Sequence, residues 1–227
     1  METRDRAARW VLIASIIGGV SYVATWKMGL PVPLDPAWKG SGVGLLAVYA
    51  ALKARDLDGW LICAVMALGA SGDVLLETHG HTVGGLAFLA GHMVAVGLYL
   101  RNRRKFLTLS QLALAVCLVP ATVLIAFLLP EDRAWAPGVA LYALGLSLMA
   151  ATAWASRFPR FVVGTGALMF LVSDLLIFAR SGHRLPDNLV VGLAVWGLYF
   201  GGQLLICVGV TGALAHWRET RALEAAS

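Results

Sequence analysis

Charge is what this sequence is shortest of. Lys, Arg, Asp and Glu together make up 14% of its 227 residues, where a soluble domain carries about 25%. Hydrophobic residues fill 59% of the chain, against a usual level of about 45–50%. A buried core alone does not need so much apolar sequence, and here it comes in long blocks with short polar connectors between them. Also missing are a low-complexity tail, a long linker and any stretch that reads as a soluble domain, so residues 1–227 are expected to form a single integral membrane domain. Cysteine is scarce: Cys63, Cys117 and Cys207 each lie inside an apolar block, without CxxC or other ligand-like spacing, and read as small apolar filler. There is no HExxH pair, no Gly-rich phosphate loop and no GxSxG elbow. Ser173 beside Asp174 is not a triad either, because neighbours on a helix point about 100° apart. The formal net charge of +5 would suit a nucleic-acid binder. The basic residues, however, sit in short clusters between apolar blocks and not in a stripe, so no nucleic-acid partner is expected.

What is present is a set of spans. A membrane crossing takes roughly 17–25 mostly apolar residues, and candidate blocks occupy 10–26, 37–52, 59–76, 83–100, 106–129, 135–155, 161–179 and 188–216. The expected fold is an all-α, polytopic bundle of eight transmembrane helices. With both termini cytoplasmic, the inside segments hold Arg4, Arg6 and Arg9; Lys53 and Arg55; Arg101, Arg103, Arg104 and Lys105; Arg157 and Arg160; Arg218 and Arg221. Only Lys27, Lys39, Arg133, Arg180 and Arg184 fall outside. That excess fits the positive-inside rule and a cell (inner) membrane location. The second block is short and opens on Gly40, Ser41, Gly42 and Gly44; leaving it out preserves the bias, so charge does not decide between eight spans and seven. The first block follows a mixed-charge start (Glu2, Asp5) without a small-x-small cleavage site, and is read as a retained helix and not a signal peptide. Trp10, Trp26, Trp38, Trp60, Trp135, Trp154 and Trp217 mark block ends as an interfacial aromatic belt does; Trp196 alone lies well inside a block. A faint repeat (71–76 with 172–177, 84–88 with 191–195) suggests a parallel four-plus-four duplication.

Ionisable groups inside a membrane cost several kcal/mol, roughly 2.5–3.5 on insertion scales, and need partners in a bundle interior. Few candidates exist. Asp73 follows the small run Gly69-Ala70-Ser71-Gly72, with Glu77 one turn on along the same face. Asp174 lies in the seventh block and His92 near the middle of the fourth. Trp196, Tyr199 and Gln203 share a face of the eighth, and Lys39 opens the second. All fall between the outer interface and the bilayer middle, at depths compatible with one polar pocket. Two intramembrane aspartates favour function over a structural network, since a satisfied amide would hold a bundle at lower cost. His79 and His81 lie in the short outer connector. Together with His92 and Asp73 they could be drawn as a zinc site, but no ligand spacing supports one.

The chain resembles the lysoplasmalogenase (YhhN-like) family of integral membrane proteins. The resemblance rests on Gly72-Asp73-Val74-Leu75-Leu76, on Gly85-Leu86-Ala87-Phe88-Leu89-Ala90-Gly91-His92, on Gly166-Ala167-Leu168-Met169-Phe170-Leu171-Val172-Ser173-Asp174, and on Tyr199-Phe200-Gly201-Gly202-Gln203. Their order and gaps match across most of the chain. One departure is Lys39-Gly40, where the family has Lys-Pro. The resemblance implies hydrolysis of the vinyl ether bond of a lysoplasmalogen to a fatty aldehyde and a glycerophospho-headgroup, with a lysophospholipid and water as reactants and no cofactor. Such a bond opens by protonation of its outer alkene carbon, followed by water capture of the oxocarbenium ion. That chemistry suits two carboxyl groups that hold a proton between them. Asp73 and Asp174 are the expected catalytic pair, with Lys39, Glu77, His92, Trp196, Tyr199 and Gln203 orienting or binding. The rival readings are a non-enzymatic lipid transporter or binding bundle and a zinc-dependent lipid hydrolase.

Overall fold

The computed structural model describes residues 2–31 and 34–226. Its elements are α1 (Glu2–Thr25), α2 (Leu34–Lys53), α3 (Leu57–Arg101), α4 (Leu109–Leu128), α5 (Ala136–Ala155), a π-helical turn (Arg160–Gly164), α6 (Thr165–Ser181) and α7 (Leu189–Ala226). Six segments are long and apolar enough to cross a membrane: α1, α3, α4, α5, the π turn with α6, and α7. The protein is therefore an all-helical, multi-pass membrane protein. Its outer surface agrees with that. α4 buries only Gln111, Thr122 and Ala126, and Leu109, Leu112, Val116 and Leu124 stand exposed along it. Such a face suits lipid, which is as apolar as leucine. α2 falls outside the six, because Asp35, Lys39, Gly40, Ser41 and Gly42 crowd its first half. It nevertheless buries eight residues, and the buried Ser15 of α1 donates to the Gly42 carbonyl of α2 at 2.6 Å.

The third and fourth expected blocks form one element with a reversal inside it. At Gly80 the backbone takes φ 83° and ψ 175°, a region open essentially to glycine alone. Beyond it the chain runs back on itself. Gly84 lies against Leu76 and Gly91 against Leu68. At the far end Arg101 and Asn102 both bond Asp58, each at 2.9 Å. α3 is thus a hairpin of two antiparallel arms. The connector expected between the blocks is a turn at one residue, so His79 and His81 lie on helical turns beside it and not on a loop. The helix at the seventh block likewise begins irregularly. Pro159 cannot continue a helix from the preceding residues, and its carbonyl takes two amides, from Val162 and Val163, as the π turn starts.

Polar contacts sort the connections to two ends of the bundle. At one end Lys53 pairs with Asp5 (2.8 Å) and Arg218 with Asp56 (3.1 Å). Arg4 donates to the Ala51 carbonyl, and Arg104 to that of Ser156. This end gathers the basic-rich segments and the first and last described turns of the chain. At the other end Lys39 pairs with Glu77 and Arg180 with Asp187.

Candidate functional site

A cavity of about 850 Å³ enters from this second end, bounded by α1, α2, both arms of α3, α5, α6 and α7. Its polar rim includes Lys27, Lys39, Glu77, Arg180 and Asp187, and its apolar walls include Leu76, Leu86, Leu89, Val139 and Ile177. Two carboxyl groups stand in those walls, Asp73 at 2% exposure and Asp174 at 6%.

Each aspartate is held by a phenol. Asp73 sits on the first arm of α3, where the small run lets its neighbours come close: a Cβ on Gly72 would lie 2.7 Å from the Phe88 ring, and one on Gly69 would lie 2.8 Å from the Gln203 amide. That approach brings α7 alongside, and the Tyr199 hydroxyl donates to Asp73 Oδ2 at 2.8 Å. Asp174 sits on α6. The hydroxyl of Tyr142, from α5, donates to its Oδ2 at 2.6 Å. His92 Nε2 lies 3.1 Å from the same Tyr142 oxygen. With Asp174 ionised and accepting the phenol proton, the imidazole is the donor to that oxygen, with its proton on Nε2. The result is a chain His92–Tyr142–Asp174 joining α3, α5 and α6. No hydrogen bond joins the two carboxyls among the described residues; each is bound to its own tyrosine.

The aromatic rings around these bonds fix their geometry. Phe170 packs edge-on against both Tyr199 and His92, with ring centroids 5.1 Å apart in each case, and Phe88 meets Tyr199 at 5.8 Å. Edge-to-face contacts of this kind contribute about 0.5–1.5 kcal/mol each beyond burial. Ser173 does not face the cavity chemistry: its hydroxyl donates to the Val195 carbonyl at 2.9 Å and fastens α6 to α7.

Of the residues singled out in the sequence, Lys39, Asp73, Glu77, Asp174, Trp196 and Tyr199 line the cavity. Lys39 and Glu77 form a rim ion pair, the lysine the more buried of the two. Trp196 spends its indole N–H on the Gly19 carbonyl at 2.7 Å and stacks on Phe200, so it shapes the wall as a fixed surface. His92 stands behind Tyr142 and is not part of the wall. Gln203 lies one helical turn below Tyr199, buried, and its Oε1 has no hydrogen-bond partner among the described residues. The histidines do not converge: His79 bonds neighbouring Thr78, and among the described residues no three His, Cys, Asp or Glu side chains gather where a metal could sit. Tyr142 was not singled out. One of five tyrosines in the chain, in a block without a charged residue, it reads as packing. The available signal was its hydroxyl, since a phenol inside a span needs a partner.

The model of the YhhN family matches residues 34–210. The chain belongs to the YhhN family. No curated protein and no solved structure matches it. The family match takes in the Asp73–Tyr199 pair, the His92–Tyr142–Asp174 chain and the Lys39–Glu77 ion pair, and it leaves Tyr22, Trp26 and Lys27 of the cavity rim outside. In chemical terms this YhhN-family site offers two carboxyl groups and two phenols on the wall of an amphipathic cavity, with one imidazole behind it. These are proton donors and acceptors, set in a cavity with a charged rim and apolar walls.

Proposed function

We propose that this protein is a membrane hydrolase that cleaves the vinyl ether bond of a lysoplasmalogen, releasing a fatty aldehyde and a glycerophospho-headgroup. The observation that carries the reading is the pair of tyrosine-held aspartates on the wall of one cavity whose rim is charged and whose depth is apolar. YhhN family membership supports it. In the proposed reaction one aspartate, as the carboxylic acid, protonates the outer alkene carbon. The carbon next to the ether oxygen becomes an oxocarbenium ion, which the other aspartate, as carboxylate, stabilises electrostatically. That carboxylate takes a proton from a water molecule as its oxygen adds to the cation. The hemiacetal then collapses: its hydroxyl proton passes to the aspartate that protonated the alkene, the C=O of the aldehyde forms, and the glycerol oxygen departs as an alcohol with the proton that the other aspartate took from water. Tyr199 orients Asp73, and Tyr142 with His92 orients Asp174. Gln203, buried behind the wall one turn below Tyr199, would help orient that tyrosine. Lys39, a cation on the rim, would meet the headgroup phosphate, and Trp196 would flank the chain.

We place eight crossings in this reading, with the α3 hairpin crossing twice and α2 crossing between α1 and α3, and both chain ends on the cytoplasmic face of the cell membrane. The basic residues gathered at one end support that orientation. A parallel duplication of the two four-span halves would set Asp73 and Asp174 at equivalent positions, each on the third span of its half. The test is mass spectrometry of products after purified protein is incubated with a panel of lysolipids. Aldehyde from the vinyl ether lipid and not from its ester or alkyl ether counterparts is expected. Vesicle uptake of lipid without any product would replace this reading with a transporter.

A further inference from the structure

The cavity has a side as well as a mouth. The second arm of α3 and helix α5 run next to each other and touch at two levels. His92 meets Tyr142 at 3.1 Å, and Gly145 abuts Leu89, whose methyl would collide with any Cβ added there. Toward the charged rim this contact stops. A Cβ at Gly85 on α3 or at Gly138 on α5 would meet nothing within 4 Å, although both residues line the cavity. Leu86 and Leu141, on the same stretches, also line it and are 60% and 62% exposed. Exposure that high at a cavity wall marks the edge of an opening. Among the described residues no hydrogen bond or ion pair crosses this seam on the rim side of His92–Tyr142.

Direct contacts pack the junctions of α1 with α2 and α7 and of α6 with α7. A Cβ at Gly19 or Gly42 would run into Phe200 where α1, α2 and α7 meet, and one at Gly192 would reach Trp26 between α1 and α7. Between α6 and α7, Gly166 abuts the Gly202 carbonyl, and Ser173 bonds Val195.

We propose that the seam between the second arm of α3 and α5 is a lateral portal through which the hydrocarbon chain of a single-chain lipid passes from the bilayer into the cavity. This rests on the reading of the cavity as a lysolipid site. The occupant follows from the frame, which is Gly85, Leu86, Gly138 and Leu141 with no charged group among them, so it admits an apolar chain and offers nothing to an ion or a peptide backbone. Trp135, 61% exposed and lining the cavity just beyond Gly138, sits where an interfacial indole marks headgroup level. A lipid entering here keeps its head at the rim, beside Lys39, and slides its chain sideways. The bond nearest the head then arrives first at the level of Asp73 and Asp174.

The experiment uses the full chain in lipid nanodiscs, with Gly85→Trp and Gly138→Trp as variants. Two substrates are compared: a long-chain lysoplasmalogen that resides in the bilayer, and a water-soluble short-chain vinyl ether analogue that can enter at the mouth. Blocking the seam is expected to lower long-chain turnover about tenfold or more, the scale on which apolar pockets discriminate by fit, and to leave the short-chain analogue near wild type. Equal loss on both substrates, or loss on neither, overturns the portal. A second measurement does not depend on turnover or on the variants folding. A lysolipid carrying a diazirine in its hydrocarbon chain is photolysed with the unaltered protein, and the labelled residues are mapped. Label at Leu86, Val139 or Leu141 is expected, and label confined to the outer faces of α1 and α4 refutes the portal. Seam labelling with no vinyl ether hydrolysis sinks the proposed reaction and keeps the portal. Hydrolysis that is insensitive to both tryptophans, without seam labelling, does the reverse.

Discussion

Replacing Tyr142 by Phe removes one oxygen atom and tests the chain that ends on Asp174. That hydroxyl donates to Asp174 at 2.6 Å and lies 3.1 Å from His92. Its loss leaves a buried carboxyl and a buried imidazole each short of a partner. The ring stays, and with it the edge-on contacts to Phe178 and His92 at 5.7 and 5.5 Å, so packing changes little. A hydrogen bond to an ionisable group contributes about 1.5–3 kcal/mol net, and an orphaned buried polar group costs about 1–3. If the hydroxyl orients Asp174 in the transition state, that range corresponds to a fall in turnover of about 10- to 100-fold, at roughly 1.4 kcal/mol per tenfold. The thermal midpoint should drop at the same time. The assay is aldehyde captured as a hydrazone and quantified by mass spectrometry, with unfolding followed in the same detergent. The conservative counterpart Tyr199→Phe should cost Asp73 its partner and leave His92 unaffected. Near-wild-type turnover in Tyr142→Phe, with or without a lowered midpoint, would make Tyr142 a strut between helices and remove it from the proposed chemistry.

Other outcomes follow from the same structure. Asp73→Asn and Asp174→Asn should each abolish aldehyde release while the protein still elutes as a folded species; normal turnover in both would dismiss the aspartate pair. Gly80→Ala forces a side chain into a backbone region that costs about 1–3 kcal/mol, so its thermal midpoint should fall, and an unchanged midpoint would deny that the hairpin depends on this residue. Gly72→Ala drives a methyl into the Phe88 ring, and overpacking of this kind costs about 1–3 kcal/mol; destabilisation measured alongside weakened activity is expected, because Phe88 also supports Tyr199. Lys39→Met should raise KM for phospholipid substrates with kcat little changed. Its stability effect should stay below about 1 kcal/mol, since a part-exposed ion pair contributes little, and a large loss of kcat would move Lys39 from the rim into the reaction.

Much of this protein is set by one-dimensional facts. A lipid bilayer admits only long apolar stretches whose backbone is satisfied internally, so the membrane class, the block positions and the short inventory of intramembrane polar residues can all be read along the chain. Asp73 and Asp174 stand out there because nothing in an apolar helix explains a carboxylate. Two kinds of information were out of reach. The reversal at Gly80 depends on a single backbone torsion, and a glycine among 25 does not announce which of them takes a positive φ. Partnership was also hidden, because hydrogen bonds between spans depend on which helices pack side by side and on how each is rotated. Tyr142 sits 32 residues from Asp174 and 50 from His92, in a block with no charged residue to draw attention to it. The sequence by itself singled out Asp73, Asp174, His92, Tyr199 and Gln203 as the polar groups within its apolar blocks. Only the tertiary structure decided that each carboxyl answers to its own tyrosine, and that Gln203 and His92 stand behind the wall, because those are consequences of helix packing that no local pattern encodes.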